Sequence, residues 1–173
     1  PERLGLGSAY VDGFRHALDQ GYDRLFSMDA DLSHDPRYLP EFLANLERFA
    51  VVVGSRYMTG VSVVNWPIWR LVLSVGANAS ARTITGLPLR DCTSGFQCFR
   101  AEVLRRVNLD AVKSNGYSFL IELKYRAMRA GFSIGEIPII FVDRRLGSSK
   151  ITRREIYASI LTVWKLRLGW YRE

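Results

Sequence analysis

Cysteine, histidine and long apolar runs are all scarce in this sequence. It has two cysteines and two histidines among its 173 residues. Two cysteines, Cys92 and Cys98, are too few to stabilise a small secreted fold through disulfide bonds. Their spacing also does not suit zinc ligands, so we expect two reduced thiols. No uninterrupted apolar run reaches the roughly 18 residues of a membrane-spanning helix. These absences argue against a disulfide scaffold and against a transmembrane segment.

Motifs for P-loop phosphate binding and for nucleophilic catalysis are also missing. The sequence contains no P-loop, and its Ser94-Gly95 pair stands in no G-x-S-x-G frame. His16 falls in a predicted helix and His34 follows an acidic loop, and neither has an evident serine or cysteine nucleophile as a partner. The usual signatures of a serine or cysteine hydrolase are therefore lacking.

What the sequence does have is an excess of positive charge. Lysine and arginine total 24 against 17 acidic residues, for a net charge of +7. From residue 140 to residue 173 there are eight basic and three acidic residues, so this last fifth alone carries +5. Such a balance favours anionic partners: nucleic acid, phosphorylated metabolites or acidic lipid.

Short apolar segments alternate with helical patterns along the chain. Strands are predicted at 22–28, 50–54 and 135–142, and turns over 86–99. Helices are predicted at 9–20, from a start at 36 or at 40, from 68 onward, and at 101–107, 119–130 and 151–168. A strand, a helix and a strand with short connections are typical of a parallel sheet covered by helices. The absence of repeats and linkers favours one α/β domain over residues 1–173.

Two carboxylates with one residue between them follow the first predicted strand. Asp29 and Asp31 stand where ligands bind in parallel-sheet proteins, beyond the carboxyl end of a strand. A loop of this kind can turn both side chains toward one hard cation, Mg²⁺ or Mn²⁺, which would bridge to phosphate oxygens of a substrate. A solvated acidic turn is the alternative.

Arginines beside small polar residues are the second candidate feature. Arg70 and Ser74 are four residues apart, so on a helix they share a face and could hold one phosphate together. Arg56 lies in a Gly-Ser-Arg-Tyr segment, and residues 144–150 combine glycine, serine and basic residues as phosphate-binding loops do. An ordinary surface position is the alternative for each. Glu122, on an apolar helix, either positions a sugar hydroxyl or pairs with a core arginine.

The final segment, residues 151–170, is a basic amphipathic helix. Its apolar positions and its tryptophan are compatible with a helix that lies on an anionic membrane surface. Packing against the helix's own domain is the alternative, and the sequence leaves both open.

Taken together, these motifs resemble the family 2 glycosyltransferases of GT-A fold, and among them the polyprenol (dolichol) phosphate mannosyltransferases. The resemblance covers nearly the whole chain, in the order GLGSAYVDGF, MDADLSHDP, GSRYMTG, NWPIWRLVLSVGAN, DCTSGFQCFR, GYSFLIELKYRA, DRRLGSSK and EIYASILTVWKLR. It implies a Rossmann-like, mostly parallel sheet flanked by helices. It also implies transfer of mannose from GDP-mannose to a polyprenyl phosphate, with inversion at the anomeric carbon.

The resemblance assigns roles to individual residues. Asp29 and Asp31 match the motif that holds a divalent cation, Mg²⁺ or Mn²⁺, against the donor diphosphate. Ser33, which stands where some relatives carry glutamine, is the third metal ligand that the resemblance implies. The other matching positions are Arg56, Arg70 and Ser74 for the acceptor phosphate and Arg144 and Lys150 for the donor diphosphate. Asp29, Asp31, Arg56 and Arg70 are the catalytic residues implied. Because the acceptor is already an anion, no general base is required.

The family pattern normally starts with strands that hold the nucleotide base, and the match to this chain begins after them. We therefore expect an N-terminally incomplete domain, and no transfer activity from the 173 residues alone. The resemblance implies a peripheral location on the cytoplasmic side of a membrane or the catalytic part of a membrane protein, with a separate membrane-anchor subunit as one arrangement.

Alternative functions remain open at the level of the sequence. Glucose or another sugar could replace mannose, because the residues of the sugar pocket cannot be ranked. A non-catalytic fragment that binds membranes or nucleic acid is the second alternative. Nucleic acid is disfavoured, because no aromatic-basic stacking motif accompanies the charge.

Overall fold

The computed structural model describes residues 5–112, 114, 116–143 and 153–169. Its α-helices are α1 (Leu6–Asp19), α2 (Leu39–Asn45), α3 (Ile68–Thr85), α4 (Ala101–Arg106), α5 (Tyr117–Arg129) and α6 (Arg153–Leu168). Its strands are β1 (Arg24–Ser27), β2 (Val51–Ser55), β3 (Val63–Val64), β4 (Gln97–Arg100), β5 (Ile134–Pro138) and β6 (Phe141–Val142). Short 3₁₀ turns lie at Pro36–Tyr38 and Leu109–Ala111. Each predicted helix is present, although its ends differ by a few residues.

The main sheet is mixed, and three of its four described strands run in one direction, in keeping with the mostly parallel sheet that the sequence predicts. Its order is β1-β4-β2-β5, and β4 runs antiparallel to both of its neighbours. β2 and β5 pair in parallel. β1, β2 and β5 therefore share one direction, and β4 separates the first two of them.

The turn predicted over residues 86–99 is wrong at its end, because β4 begins at Gln97. The segment has only four residues and is polar at both ends, so it has no alternating apolar pattern. Its strand conformation depends on hydrogen bonds to β1 on one side and to β2 on the other. Tertiary pairing of this kind overrides weak local propensity.

The strand predicted at 135–142 is two strands in two sheets. β5 pairs with β2, whereas β6 pairs in parallel with β3 in a small second sheet. Between them, the Ile139 N–H donates to the Ser55 carbonyl at 3.0 Å and the Ile140 N–H donates to the Tyr38 hydroxyl at 3.0 Å. This interruption carries Phe141 past the end of β2.

Helices cover both faces of the main sheet. Successive side chains of a strand point to opposite faces, and β2 follows this rule. Val51 and Val53 belong to a core cluster with α1 and α5, whereas Val52 belongs to a cluster with α2. Among the described helices, none combines the length and the hydropathy that crossing a membrane requires.

Candidate functional site

A cavity of about 1440 Å³ opens where β1 and β2 end. Because these strands run in the same direction, their carboxyl ends meet at one edge of the sheet, the usual ligand position in α/β folds. Asp29 and Asp31 follow β1, Arg56 follows β2, and α3 carries Arg70 and Ser74. All five side chains line the cavity. The structure thus brings together most of the site residues that the sequence singles out.

The acidic loop holds Asp31 in a defined orientation. Oδ1 of Asp31 accepts a hydrogen bond from the Ser33 N–H at 3.1 Å and one from the Ser33 hydroxyl at 2.5 Å. Leu32, between them, has a φ of 66°, a left-handed conformation that is costly for a branched side chain. Ser33 is buried and does not line the cavity. It positions Asp31, and its role as a direct metal ligand stays a prediction.

The donor atoms of this loop fit a hard divalent cation such as Mg²⁺ or Mn²⁺. Carboxylate oxygens are ligands that both ions accept, and Asp29 and Asp31 line the same cavity. Within the described ranges, no three His, Cys, Asp or Glu side chains are grouped as a metal site. Two carboxylates would leave coordination positions for water and for substrate phosphate oxygens, as is usual for Mg²⁺.

His34 fixes the backbone of the acidic loop. Its Nδ1 accepts a hydrogen bond from the Asp29 N–H at 2.9 Å, and its ring stacks on Phe96 with the centroids 4.8 Å apart. Burial lowers the pKa of His34, and the nearby charge of Arg56 lowers it further, against the raising effect of neighbouring carboxylates. A neutral imidazole that accepts at Nδ1 and carries its proton on Nε2 accounts for this contact.

Arg56 is clamped by a buried carboxylate. Its Nε and Nη2 donate to the two oxygens of Asp91 at 2.6 and 2.7 Å, and Nη2 also donates to the Thr93 hydroxyl at 2.8 Å. Burial alone raises the pKa of Asp91, but the charge and hydrogen bonds of Arg56, with the charge of Lys124, lower it below its usual value. A bidentate pair of this kind fixes the plane of the guanidinium.

The same polar network reaches α3. The Asn78 side chain exchanges hydrogen bonds with Thr93, donating to its hydroxyl at 3.2 Å and accepting from its N–H at 3.2 Å. One turn earlier, the Ser74 hydroxyl accepts from the Tyr57 hydroxyl at 2.7 Å. The helix that carries Arg70 is therefore held in register with the end of β2.

Arg70 lies over an indole ring with part of its guanidinium unpaired. Its Cζ is 4.1 Å from the ring centroid of Trp66, and Nη1 donates to Asp143 at 2.7 Å. Its Nε has no hydrogen-bond partner among the described residues, although the side chain is buried. A buried guanidinium with an unused N–H at the wall of a cavity is suited to an anionic ligand.

Lys124 of α5 supports this region from the protein interior. Its side chain is fully buried, and its ammonium donates to the carbonyls of Cys92 and Ser94 at 3.0 and 2.9 Å. Burial lowers the pKa of Lys124 to about 8, although the nearby Cys92 and Asp91 side chains raise it in part. The lysine thus fixes the backbone on both sides of Thr93.

The chain then passes close to the acidic loop at Gly95. A Cβ on Gly95 would lie 3.7 Å from Oδ1 of Asp29 and 3.2 Å from the Tyr10 hydroxyl. Burial and the charge of Asp29 raise the pKa of Tyr10 to about 12, and a side-chain hydrogen bond between Tyr10 and Ser27 opposes them. Residues 91–95 therefore connect the two carboxylates with the clamped arginine.

The remaining predicted site residues do not reach the cavity or fall outside the described ranges. Glu122 is fully buried, accepts from Arg126 Nε at 2.9 Å, and also accepts hydrogen bonds from Ser114. It does not line the cavity, so the structure favours its pairing with a core arginine over a sugar contact. Arg144 and Lys150 lie outside the described residues.

Sequence reasoning assigns no role to Asp91, Thr93, Asn78 or Lys124. Their hydrogen-bond partners are far away in the chain, such as Arg56 for Asp91, and no local spacing reports such contacts. The DCTSG segment is part of the family resemblance, and that is the signal that could have directed attention to Asp91 and Thr93.

The sequence matches a protein family and curated relatives. Residues 1–107 match the model described as glycosyl transferase family 2. The chain is 42% identical over 168 residues to an undecaprenyl-phosphate mannosyltransferase of Micrococcus luteus, covering 96% of this chain and 69% of that protein. It is 44% identical over 168 residues to a polyprenol monophosphomannose synthase of Mycolicibacterium smegmatis, covering 95% of this chain and 63% of that protein.

The fold is also similar to solved structures of glucosyl-3-phosphoglycerate synthase from Mycobacterium tuberculosis. The TM-score is 0.63 at 18% identity for the crystal structure with Mn²⁺, UDP and phosphoglyceric acid, over 98% of this chain and 56% of that one. It is 0.62 at 19% identity for the crystal structure with Mn²⁺, UDP and glucosyl-3-phosphoglycerate, over 98% and 57%. This likeness concerns the fold alone. The expected GT-A arrangement, a sheet flanked by helices, is confirmed.

Proposed function

Because the chain belongs to glycosyl transferase family 2, we propose that it contributes the catalytic residues of an enzyme that transfers mannose from GDP-mannose to a polyprenyl phosphate. The observation that carries the proposal is the single cavity lined by Asp29, Asp31, Arg56 and Arg70. Two carboxylates suited to a cation and two arginines suited to phosphate line this one cavity. Mannose and the polyprenyl acceptor are taken from the names of the two curated relatives, of which the chain spans 69% and 63%.

The reaction needs positioning and charge neutralisation more than proton transfer. An oxygen of the acceptor phosphate attacks the anomeric carbon, the bond from that carbon to the diphosphate oxygen breaks, and GDP leaves with inversion. Arg70 and Arg56 hold the acceptor phosphate at the cavity wall, and Asp29 and Asp31 face the donor diphosphate. A bound Mg²⁺ or Mn²⁺ would neutralise charge on the departing diphosphate. The phosphate nucleophile is already ionised near neutral pH.

The composition of the cavity wall supports a lipid acceptor. Beyond the polar groups, the lining is largely apolar and comes from α1, α3 and α6: Tyr10, Phe14, Val72, Leu73, Ile84, Ile160, Val163 and Trp164. An isoprenoid chain would bury apolar surface there. A hydrophilic acceptor would leave this wall in contact with water.

The outer faces of α3 and α6 support action at a membrane surface. On α3, Ile68, Trp69 and Val72 are each more than three-fifths exposed, and on α6 Leu161 and Trp164 are about half exposed or more. We call the exposed apolar residues of α3 and α6 the apolar patch. Patches of this kind mark interaction sites, and the patch adjoins the cavity through Val72 and Trp164. The cytoplasmic side and a separate membrane-anchor subunit remain predictions.

The test uses the protein expressed from its complete coding sequence, with labelled GDP-mannose, a short polyprenyl phosphate and Mg²⁺ or Mn²⁺. Asp31→Asn and Arg70→Gln each remove one charge from the cavity. We expect each to lower kcat/KM by about 100-fold or more, the usual cost of losing one charge-stabilising contact. Chelation by EDTA should abolish transfer, and added Mn²⁺ should restore it.

Asp12→Asn and Arg48→Gln are matched controls. Both side chains are exposed and neither lines the cavity, so activity should stay within about twofold of wild type. Full activity of Asp31→Asn and Arg70→Gln would refute the site assignment. Transfer from UDP-glucose but not from GDP-mannose would leave the site in place and change the sugar.

A further inference from the structure

A second, smaller pocket lies on another part of the surface, where α4, α5 and α6 end. Its volume is about 310 Å³, and no residue lines both this pocket and the large cavity. We call it the arginine pocket, after the residues that supply most of its polar wall: Arg106, Arg126, Arg129 and Arg167, with Asn108 and Tyr125. Nothing in the proposed transfer reaction uses it.

One wall of the arginine pocket is rigidly built. Arg126 donates through Nε to the buried carboxylate of Glu122 at 2.9 Å and through Nη2 to the Ala111 carbonyl at 2.7 Å. The Leu166 side chain of α6 is buried beside it. The contact with Ala111 joins α5 to the 3₁₀ turn at Leu109–Ala111, and the contact with Glu122 holds the guanidinium against its own helix.

The other three arginines bring uncompensated charge. Arg106, Arg129 and Arg167 make no ion pair or hydrogen bond to any residue that the structure describes. No aspartate or glutamate is among the described residues that line the pocket. Like charges that converge on one concave surface repel each other unless an anion neutralises them.

The partial negative charges at the helix C-termini compensate part of the positive charge of these three arginines, but not all of it. Arg106 and Arg129 are the last residues of α4 and α5, and Arg167 lies in the last turn of α6. The partial negative charge at a helix C-terminus is at most about half a unit. Three such ends therefore offset at most about 1.5 of three positive charges.

We propose that the arginine pocket binds a phosphate-bearing anion. Guanidinium groups match phosphate oxygens with two parallel N–H donors, and the pocket presents them from three different helices. The ligand is either the headgroup of an anionic lipid or a soluble phosphate compound.

The surroundings of Arg167 favour the lipid headgroup. Trp164 lies three residues before Arg167 and Leu168 lies one residue after it, and both side chains are exposed. Residues at positions i and i+3 or i+4 share a helix face, so Trp164 lies beside both of the others. An apolar surface next to a phosphate site is the arrangement that a headgroup with acyl chains requires.

The experiment compares two double variants of the complete protein with the same change in charge. Arg106→Gln with Arg129→Gln alters the pocket, and Arg105→Gln with Arg48→Gln removes two exposed arginines that do not line it. Binding to phosphatidylcholine vesicles that contain phosphatidylglycerol is measured by co-sedimentation. The pocket variant should bind about 25-fold more weakly, from about fivefold for each arginine. The control should lose no more than about threefold, as expected of diffuse charge.

Inorganic pyrophosphate, titrated by calorimetry, distinguishes the two sources. Loss of vesicle binding without measurable pyrophosphate binding supports a headgroup. Pyrophosphate binding that the pocket variant abolishes and the control keeps supports a soluble ligand. Equal vesicle losses in both double variants, with no pyrophosphate binding to wild type, would refute the pocket. Arg167→Gln, on a different helix, repeats the test, and no arm depends on sugar transfer.

Discussion

Lys124 is a buried cation without a carboxylate within ion-pair distance in the described part of the chain. Its ammonium instead donates to the two carbonyls on either side of Thr93. Burying a charge in this way is costly, and the cost appears as a pKa lowered to about 8. The side chain therefore stabilises the loop at some expense to the stability of the whole domain.

This cost predicts that the contribution of Lys124 to stability rises with pH. Between pH 8 and about 10.5 the folded chain has lost the Lys124 proton while the unfolded chain still holds it, so this contribution to the free energy of unfolding increases, whereas the raised pKa values of Cys92 and Cys98 act in the opposite direction. We expect a gain on the order of 3 kcal/mol over this range relative to Lys124→Met. Urea denaturation of both proteins at several pH values measures it. Tyr10 and the two thiols titrate in both proteins, so parallel curves would contradict the prediction.

The two cysteines allow a second prediction at the scale of single residues. Both are free and buried, which confirms the expectation of unpaired thiols. Burial raises the pKa of Cys92 and of Cys98 to about 12. Since the thiolate is the reactive form, a disulfide reagent at pH 8 should label neither cysteine in the folded chain and both in urea. Rapid labelling without denaturant would contradict this burial.

Site residues differ in how far the sequence reveals them. Asp29 and Asp31 are recognisable because their spacing and the preceding strand are local features. Asp91 is not, because its partner Arg56 comes from a different strand end. Ser33 has a contact that its position in the motif does not reveal, since its hydroxyl donates to Asp31.

At the scale of elements, Gly135 marks a close approach between a strand and a side chain of the loop that precedes β2. In β5, a Cβ on Gly135 would overlap the ring of Phe49, whereas a Cβ on Gly13 in α1 would meet no atom within 4 Å. Only the first glycine is therefore required by packing.

The two glycines form a matched pair of alanine substitutions. Gly135→Ala should destabilise the chain by about 1–3 kcal/mol, the usual effect of overpacking. Gly13→Ala should stabilise it by about 0.5–1 kcal/mol, because alanine favours the helix. Thermal or urea denaturation checks both values, and effects of the same sign would contradict the packing of β5 against Phe49.

Some helices and strands can be predicted from local sequence patterns, and others cannot. α1, α3 and α5 show apolar periodicity over many residues, which is a strong local signal. β4 and the break between β5 and β6 lack such a signal. Hydrogen bonds from β1 and β2 define β4, and the Tyr38 hydroxyl helps to define the break.

At the scale of the whole molecule, the apolar patch predicts which surface meets the membrane. Ile68 on α3 is 79% exposed and belongs to the patch, and Ile140 is 55% exposed between β5 and β6. Ile68→Ser should weaken binding to phosphatidylcholine vesicles by about tenfold, since burying one isoleucine contributes about 1.5–3 kcal/mol. Ile140→Ser is the matched control and should change binding little. Equal effects of both changes would refute this orientation.

The sequence predicts the anionic character of the partners, but it does not predict which basic side chains meet in the folded structure. The net charge of +7 is visible at once, and the family resemblance assigns part of it to the large cavity. The arginine pocket needs the ends of α4, α5 and α6 to meet in space, and no sequence spacing indicates that meeting. The clustering of these arginines therefore depends on how the three helices pack.

The antiparallel position of β4 also constrains how the chain assembles during synthesis. β1 is complete at Ser27, yet the strand that joins it to β2 begins only at Gln97. In a nascent chain, β1 and β2 therefore lack the strand that lies between them until β4 itself has left the ribosome. Such late closure raises the contact order and slows folding. Fragments that end before Gln97 should fail to form this sheet, and the exposed strand edges would invite aggregation or chaperone binding.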